Sequence, residues 1–110
     1  MVRLDLVKGT LDMLLLKALT AGPMHGYGIA QWLQRTTDDA FNVEEGSLYP
    51  ALHRMMERGW VKAEWGISDN KRRARYYTLT AAGRKQLREE TATWGLFIVA
   101  VAKVLRAHPA

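Results

Sequence analysis

The stretch that most narrows the choice of fold is a hairpin inside an otherwise helical chain. From Trp60 to Ser68 the residues alternate, with Val61, Ala63, Trp65 and Ile67 on one side and Lys62, Glu64 and Ser68 on the other. That is the two-residue period of a strand. Ser68-Asp69-Asn70-Lys71 has turn chemistry, and "RARYYTL" (Arg73 to Leu79) reads as the returning strand. Four cations, Lys71, Arg72, Arg73 and Arg75, fall within five residues at the tip, and no acid lies closer than Asp69.

The segments around the hairpin have helical spacing. Leu11, Leu14, Leu15, Ala18 and Leu19 repeat along a first helix, with Thr10 as its expected N-cap, Asp12 in its first turn, and Ala21-Gly22-Pro23 as its stop. A second helix is expected from about Gly26 to Arg35, with Tyr27, Ile29, Ala30 and Leu33 mostly apolar. Its start, His25-Gly26-Tyr27-Gly28, reads equally as a tight interhelix turn or as backbone N–H groups held close to a phosphate. After the polar connector Thr36 to Asp39 comes a third helix in "EEGSLYPALHRMMERGW" (Glu44 to Trp60). Thr80 can cap a last, long helix from about Ala81 to Ala107.

Three helices, a two-stranded hairpin and a long helix make an α+β, mainly α layout. The order is that of a winged helix-turn-helix (residues 1–80) followed by a long C-terminal dimerisation helix (residues 81–110). In that layout the third helix enters the major groove and the hairpin, or wing, lies beside the DNA backbone or the minor groove.

The third helix carries two faces. Leu48, Ala51, Leu52 and Met55 form an apolar stripe for the core, with Met56 on its edge. Tyr49 and His53 lie on one shoulder of the other side and Ser47 and Arg54 on the other, with Pro50 and Glu57 between them. Such side chains donate hydrogen bonds to phosphates, and Arg and His can reach base edges. Ser47 would also serve as an ordinary N-cap, which would place Pro50 harmlessly at the third helical position. The helix alone leaves a DNA-reading face and a merely solvated face open. The basic wing tips the balance toward nucleic acid.

Composition supports that direction weakly. Lys and Arg total 16 against 11 for Asp and Glu, a formal charge of +5. A basic balance suits polyanions. The chain has no cysteine, which removes disulfides, Cys–zinc sites and thiol nucleophiles. His25, His53 and His108 are scattered without metal-ligand spacing, and no phosphate loop or nucleophile elbow is present. No cofactor, metal or catalytic residue is expected. The N-terminus has Arg3 and Lys8, but Asp5, Asp12 and Lys17 break up the apolar residues, so a signal peptide is not expected. The longest apolar run, Leu96 to Ala102, is far below the roughly 18–20 residues that span a bilayer. A cytoplasmic protein with no membrane partner is expected.

In the last helix Leu87, Trp94 and Val101 recur every seven residues, with Phe97, Ile98, Val104 and Leu105 filling the turns between. A helix apolar nearly all round must be covered, and a short chain has little to cover it with. A second copy in a two-fold dimer is the expected cover. Trp94 and Phe97 read as interface core or as the wall of a pocket for a flat apolar ligand.

Four stretches together resemble the PadR family of transcriptional regulators: "GTLDMLLLKAL", "GPMHGYGIAQWLQ", "EEGSLYPALHRMMERGWV" and "RRARYYTLTAAGRKQL". The likeness covers about residues 8–90, and a single C-terminal helix is similar to the family's shorter branch. The wording around "VEEGSLYPALHRM" is similar to a subgroup common in acidobacteria. The resemblance implies a homodimeric winged-helix repressor of a double-stranded DNA operator, with C-terminal helices forming the dimer and, in some members, release by small aromatic compounds. By position it implies DNA contacts from Tyr27, Gly28, Ser47, Tyr49, Pro50, His53, Arg54, Lys71, Arg72, Arg73 and Arg75. The apolar run from Gly95 to Ala102 departs from the pattern. The contrasting expectation is a winged helix that binds protein and not DNA, which predicts a neutral wing.

Overall fold

The computed structural model describes Leu4, Leu6 and residues 9–109; Arg3, Asp5 and Lys8, named in the signal-peptide reading, lie outside the described residues. Helix α1 spans Leu11–Ala18 and tightens into a 3₁₀ turn at Leu19–Ala21. Thr10 holds the N-cap position, but its side chain does not make the capping bond to the helix. A two-residue strand, β1 (Met24–His25), leads into α2 (Gly26–Thr36). Then follow α3 (Glu45–Glu57), β2 (Val61–Ile67), β3 (Arg73–Leu79) and α4 (Ala81–Arg106). The molecule is mainly helical, with a small antiparallel sheet ordered β1-β3-β2. The expected hairpin forms, with Val61 paired to Leu79 and Ile67 to Arg73.

Strand β1 is the element the sequence pattern did not disclose. Two residues are too short to show alternation. They pair because β3 has a free edge beside them, matching Met24 to Tyr77 and His25 to Tyr76. The same stretch caps α2, where the Gly28 N–H donates to His25 Nδ1 at 2.9 Å.

One core joins these elements. Leu15, Leu16 and Leu19 of the first helical stretch meet Ile29 and Leu33 of α2, with Val61, Tyr77 and Leu79 of the sheet closing one side. The expected stripe of α3, Leu48, Ala51, Leu52 and Met55, is fully buried. Burial of side chains this size contributes roughly 1.5–3 kcal/mol each, so α3 is held firmly by its back while its front stays open.

The start of α3 differs from expectation. Glu44, not Ser47, is the N-cap, and Ser47 lies in the first turn. The Glu44 carbonyl accepts from the N–H groups of both Ser47 and Leu48. Pro50 therefore stands at the sixth helical position and lies inside the helix rather than in its first turn. The two acids occupy the N-cap and first positions, where the positive end of the helix dipole favours them.

Helix α4 starts at the wing's base. The Thr80 hydroxyl accepts from the Gly83 N–H at 3.0 Å and donates to the Gly59 carbonyl at 2.6 Å. Gly83 is buried, and a Cβ there would collide with the Trp60 carbonyl. Only a glycine allows the helix to lie so close to that backbone. Leu87 packs on the core as well. Beyond it α4 runs outward and gives the molecule its longest dimension, 62 Å against 34 and 22 Å. Leu96, Phe97, Ile98, Val99, Val101, Val104 and Leu105 on this arm are all exposed.

Candidate nucleic-acid interface

A groove of about 1120 Å³ separates the front of α3 from the wing. Tyr27 and Gln31 of α2 border one end. Tyr49, Pro50, His53 and Met56 of α3 line one wall, and Trp65, Arg72, Arg73, Ala74, Arg75 and Tyr77 of the hairpin line the other. Seven of the expected contact residues thus face a common space: Tyr27, Tyr49, Pro50, His53, Arg72, Arg73 and Arg75.

The other four are placed elsewhere. Gly28 is occupied in capping α2. Ser47 is exposed in the first turn of α3, away from the groove lining. Lys71 sits at the hairpin tip with φ of 61°, its N–H donating to the Ser68 carbonyl. Arg54 turns toward α1 and pairs with Asp12 at 3.2 Å. Gly26 is buried under Tyr49, whose hydroxyl and ring leave no room for a Cβ there.

Tyr49 rests against the helix start and presents its edge to the groove. Burial first, then the neighbouring Tyr77 and Glu45, push its phenol above the usual tyrosine range. It therefore stays protonated and able to donate at any physiological pH. His53 Nε2 pairs with Glu57 at 2.8 Å across one helical turn, and both side chains are largely exposed. Exposed pairs of this kind contribute about 0–1 kcal/mol, so His53 can exchange its partner for a ligand at small cost; the Asp12 side chain that Arg54 meets is only 16% exposed.

Gln31, Met56, Trp65, Ala74 and Tyr77 also line the groove but were not among the contacts expected from the sequence. Gln31 is half-buried on α2, a position with no pattern of its own. Trp65 belongs to the alternating apolar face of β2, and only the near half of that face is covered. Val61 is buried, whereas Trp65 and Ile67 are 59% and 69% exposed. The Arg73 guanidinium lies over the Trp65 ring at 4.4 Å and that of Arg75 at 5.8 Å.

A second cavity, about 450 Å³, lies between the start of α1 and the middle of α4. Met13, Gln86, Glu89, Glu90, Thr93, Trp94 and Phe97 line it. Trp94 and Phe97 stack with ring centres 5.7 Å apart. Glu90 has one carboxylate oxygen buried without a hydrogen-bond partner. Burial raises its pKa above the ordinary range and nearby Asp12 adds to this, against the lowering effects of Gln86 and Arg58.

The element order and the basic groove define a DNA-binding winged helix-turn-helix. The chain belongs to the PadR-like family of transcriptional regulators, whose family model ("Transcriptional regulator PadR-like family") matches residues 15–89. It is similar to a transcriptional regulator from Clostridium thermocellum, with 29% identity, a TM-score of 0.81, and 87% of this chain and 93% of that one covered. A PadR family transcriptional regulator from Eggerthella lenta superposes with a TM-score of 0.78 at 33% identity, covering 92% of this chain and 86% of that one. Transcriptional regulator Rv3488 of Mycobacterium tuberculosis is 37% identical over 67 residues, which span 61% of this chain and 59% of that protein. The protein is thus a regulator of transcription and not an enzyme. Among the described residues no helix is long and apolar enough to cross a membrane.

Proposed function

We propose that the protein is a homodimeric repressor that recognises a double-stranded operator in the cytoplasm and is released by a flat aromatic ligand. The observation that carries the DNA reading is the groove between the front of α3 and a wing with Arg72, Arg73 and Arg75 along it. Its three arginines suit a phosphate ridge, with α3 entering the adjoining major groove. Arg73 and Arg75 supply non-specific pull, and each phosphate neutralised contributes about one unit to the salt slope. Tyr49 and His53 stand nearest the bases. Arg54 joins them only by leaving Asp12, so Asp12→Asn should free Arg54 and raise affinity, and the gain should vanish in an Arg54→Ala background.

The exposed apolar arm of α4 supports dimerisation through Trp94, Phe97, Ile98, Val101, Val104 and Leu105; Leu87 serves its own chain's core. Two copies related by a two-fold axis would set their α3 helices in successive major grooves, about 34 Å apart. A dimer seated there would obstruct polymerase. The cavity at Trp94 and Phe97 offers aromatic walls for the effector, and Glu89 and Glu90 favour one with a positive charge.

The test is a gel shift with duplex DNA from upstream of the protein's own gene, with and without a panel of aromatic compounds. A specific shift, reversed by some of the panel, is expected. Absence of any shift at low salt refutes the DNA reading and favours a protein-binding winged helix. A shift that no compound reverses refutes only the effector.

A further inference from the structure

On the wing, Trp65 stands opposite Arg75 in the strand pairing and diagonal to Arg73, all on the face that turns to the groove. A side chain as large as tryptophan, more than half exposed, has little reason to occupy this position for packing alone. The core on this face ends at Ala63 and Tyr77. The two guanidiniums lie over the indole at 4.4 and 5.8 Å. Among the described residues no carboxylate pairs with either arginine. The indole ring is the neighbour that the two guanidiniums share.

We propose that Trp65 is a positioning residue for the DNA backbone: its ring orders Arg73 and Arg75 so that their N–H edges face the groove. A guanidinium stacked by its flat face keeps all its donors free in the plane, where a phosphate takes two at once. The electron-rich ring face also eases the repulsion between two cations spaced two residues apart on one strand face. Ordering them before DNA arrives lowers the entropy lost on binding. This proposal rests on the DNA-binding reading above.

The test measures affinity for the upstream duplex over a range of salt concentrations in the full-length protein. Trp65→Leu should weaken binding about three- to tenfold, with the salt slope unchanged because no charge is lost. Trp65→Phe should recover most of that loss. Arg73→Ala should reduce the slope by about one unit, and adding Trp65→Leu to it should cost much less than it does alone. Arg73→Lys, which keeps the charge but not the planar stack, should resemble Trp65→Leu, and it tests the stack independently if the leucine variant does not fold. Unchanged affinity in Trp65→Leu, full additivity with Arg73→Ala, or wild-type behaviour in Arg73→Lys would overturn the proposal while leaving DNA binding intact. A wild-type protein that binds no duplex overturns both.

Discussion

Lys71 occupies the turn position that glycine fills most easily, with φ of 61°. A non-glycine residue in that conformation costs roughly 1 kcal/mol. A cation held there against its conformational preference fits a wing that contacts phosphate. Lys71→Gly is expected to raise stability by about 1 kcal/mol and to lower DNA affinity in the same protein, read by thermal melting and gel shift. Glu90 presents the opposite balance. Its folded pKa is raised, so the folded state holds the proton more tightly than the unfolded chain, and stability falls as pH rises from the ordinary glutamate value of 4.5 through the raised one. Glu90→Gln should therefore raise the melting temperature at pH 7, and the gain should disappear below about pH 4. A gain that persists at low pH would place the effect elsewhere.

At the scale of elements, the joint between α4 and the wing depends on one missing side chain. Gly83→Ala must push α4 off the Trp60 carbonyl, and overpacking of this kind costs roughly 2 kcal/mol, or about 10 °C in melting temperature. A melting temperature within 2 °C of wild type, on the same scale, would show that the helix shifts freely. That joint was not readable in advance, because a glycine two residues into a helix looks like any weak helical position. The back of α3 was fully readable, since Leu48, Ala51, Leu52 and Met55 carry the helical period unmixed. Its beginning was not, because Ser47 has the chemistry of a cap and Glu44 does not, yet the chain enters the helix at Glu44. Trp65 was hidden for another reason. Strand alternation marks which residues share a face, and that face passes from core to groove partway along β2 without any change in pattern. Arg54 was placed correctly on α3, but its ion pair with Asp12 arises from a residue 42 positions away.

For the whole molecule, the outer half of α4 is the test of assembly. Leu105 is 78% exposed and Val104 73%, so replacing either costs the folded chain little by itself. Leu105→Lys combined with Val104→Lys should convert the proposed dimer to monomer in sedimentation or light scattering and leave the monomer's helical signal intact. Operator affinity should then fall by a factor of about 100 or more, as the second module loses its tethered advantage. If the double variant stays dimeric, the arm is not the interface. The joint at Thr80, Gly83 and Trp60 adds a mechanical consequence. A helix of 26 residues is about 39 Å long, and it is clamped at one end to the base of the hairpin. A tilt of about 5° there corresponds to roughly 3 Å of travel at the far end. In the proposed dimer the arm would act as a lever with its fulcrum beside the wing, so sliding of two such arms past each other would be returned as rotation of the DNA-facing surfaces. The quantity such a device would control is the angle between two wings, and it would register as a changed preference for the number of base pairs between half-sites.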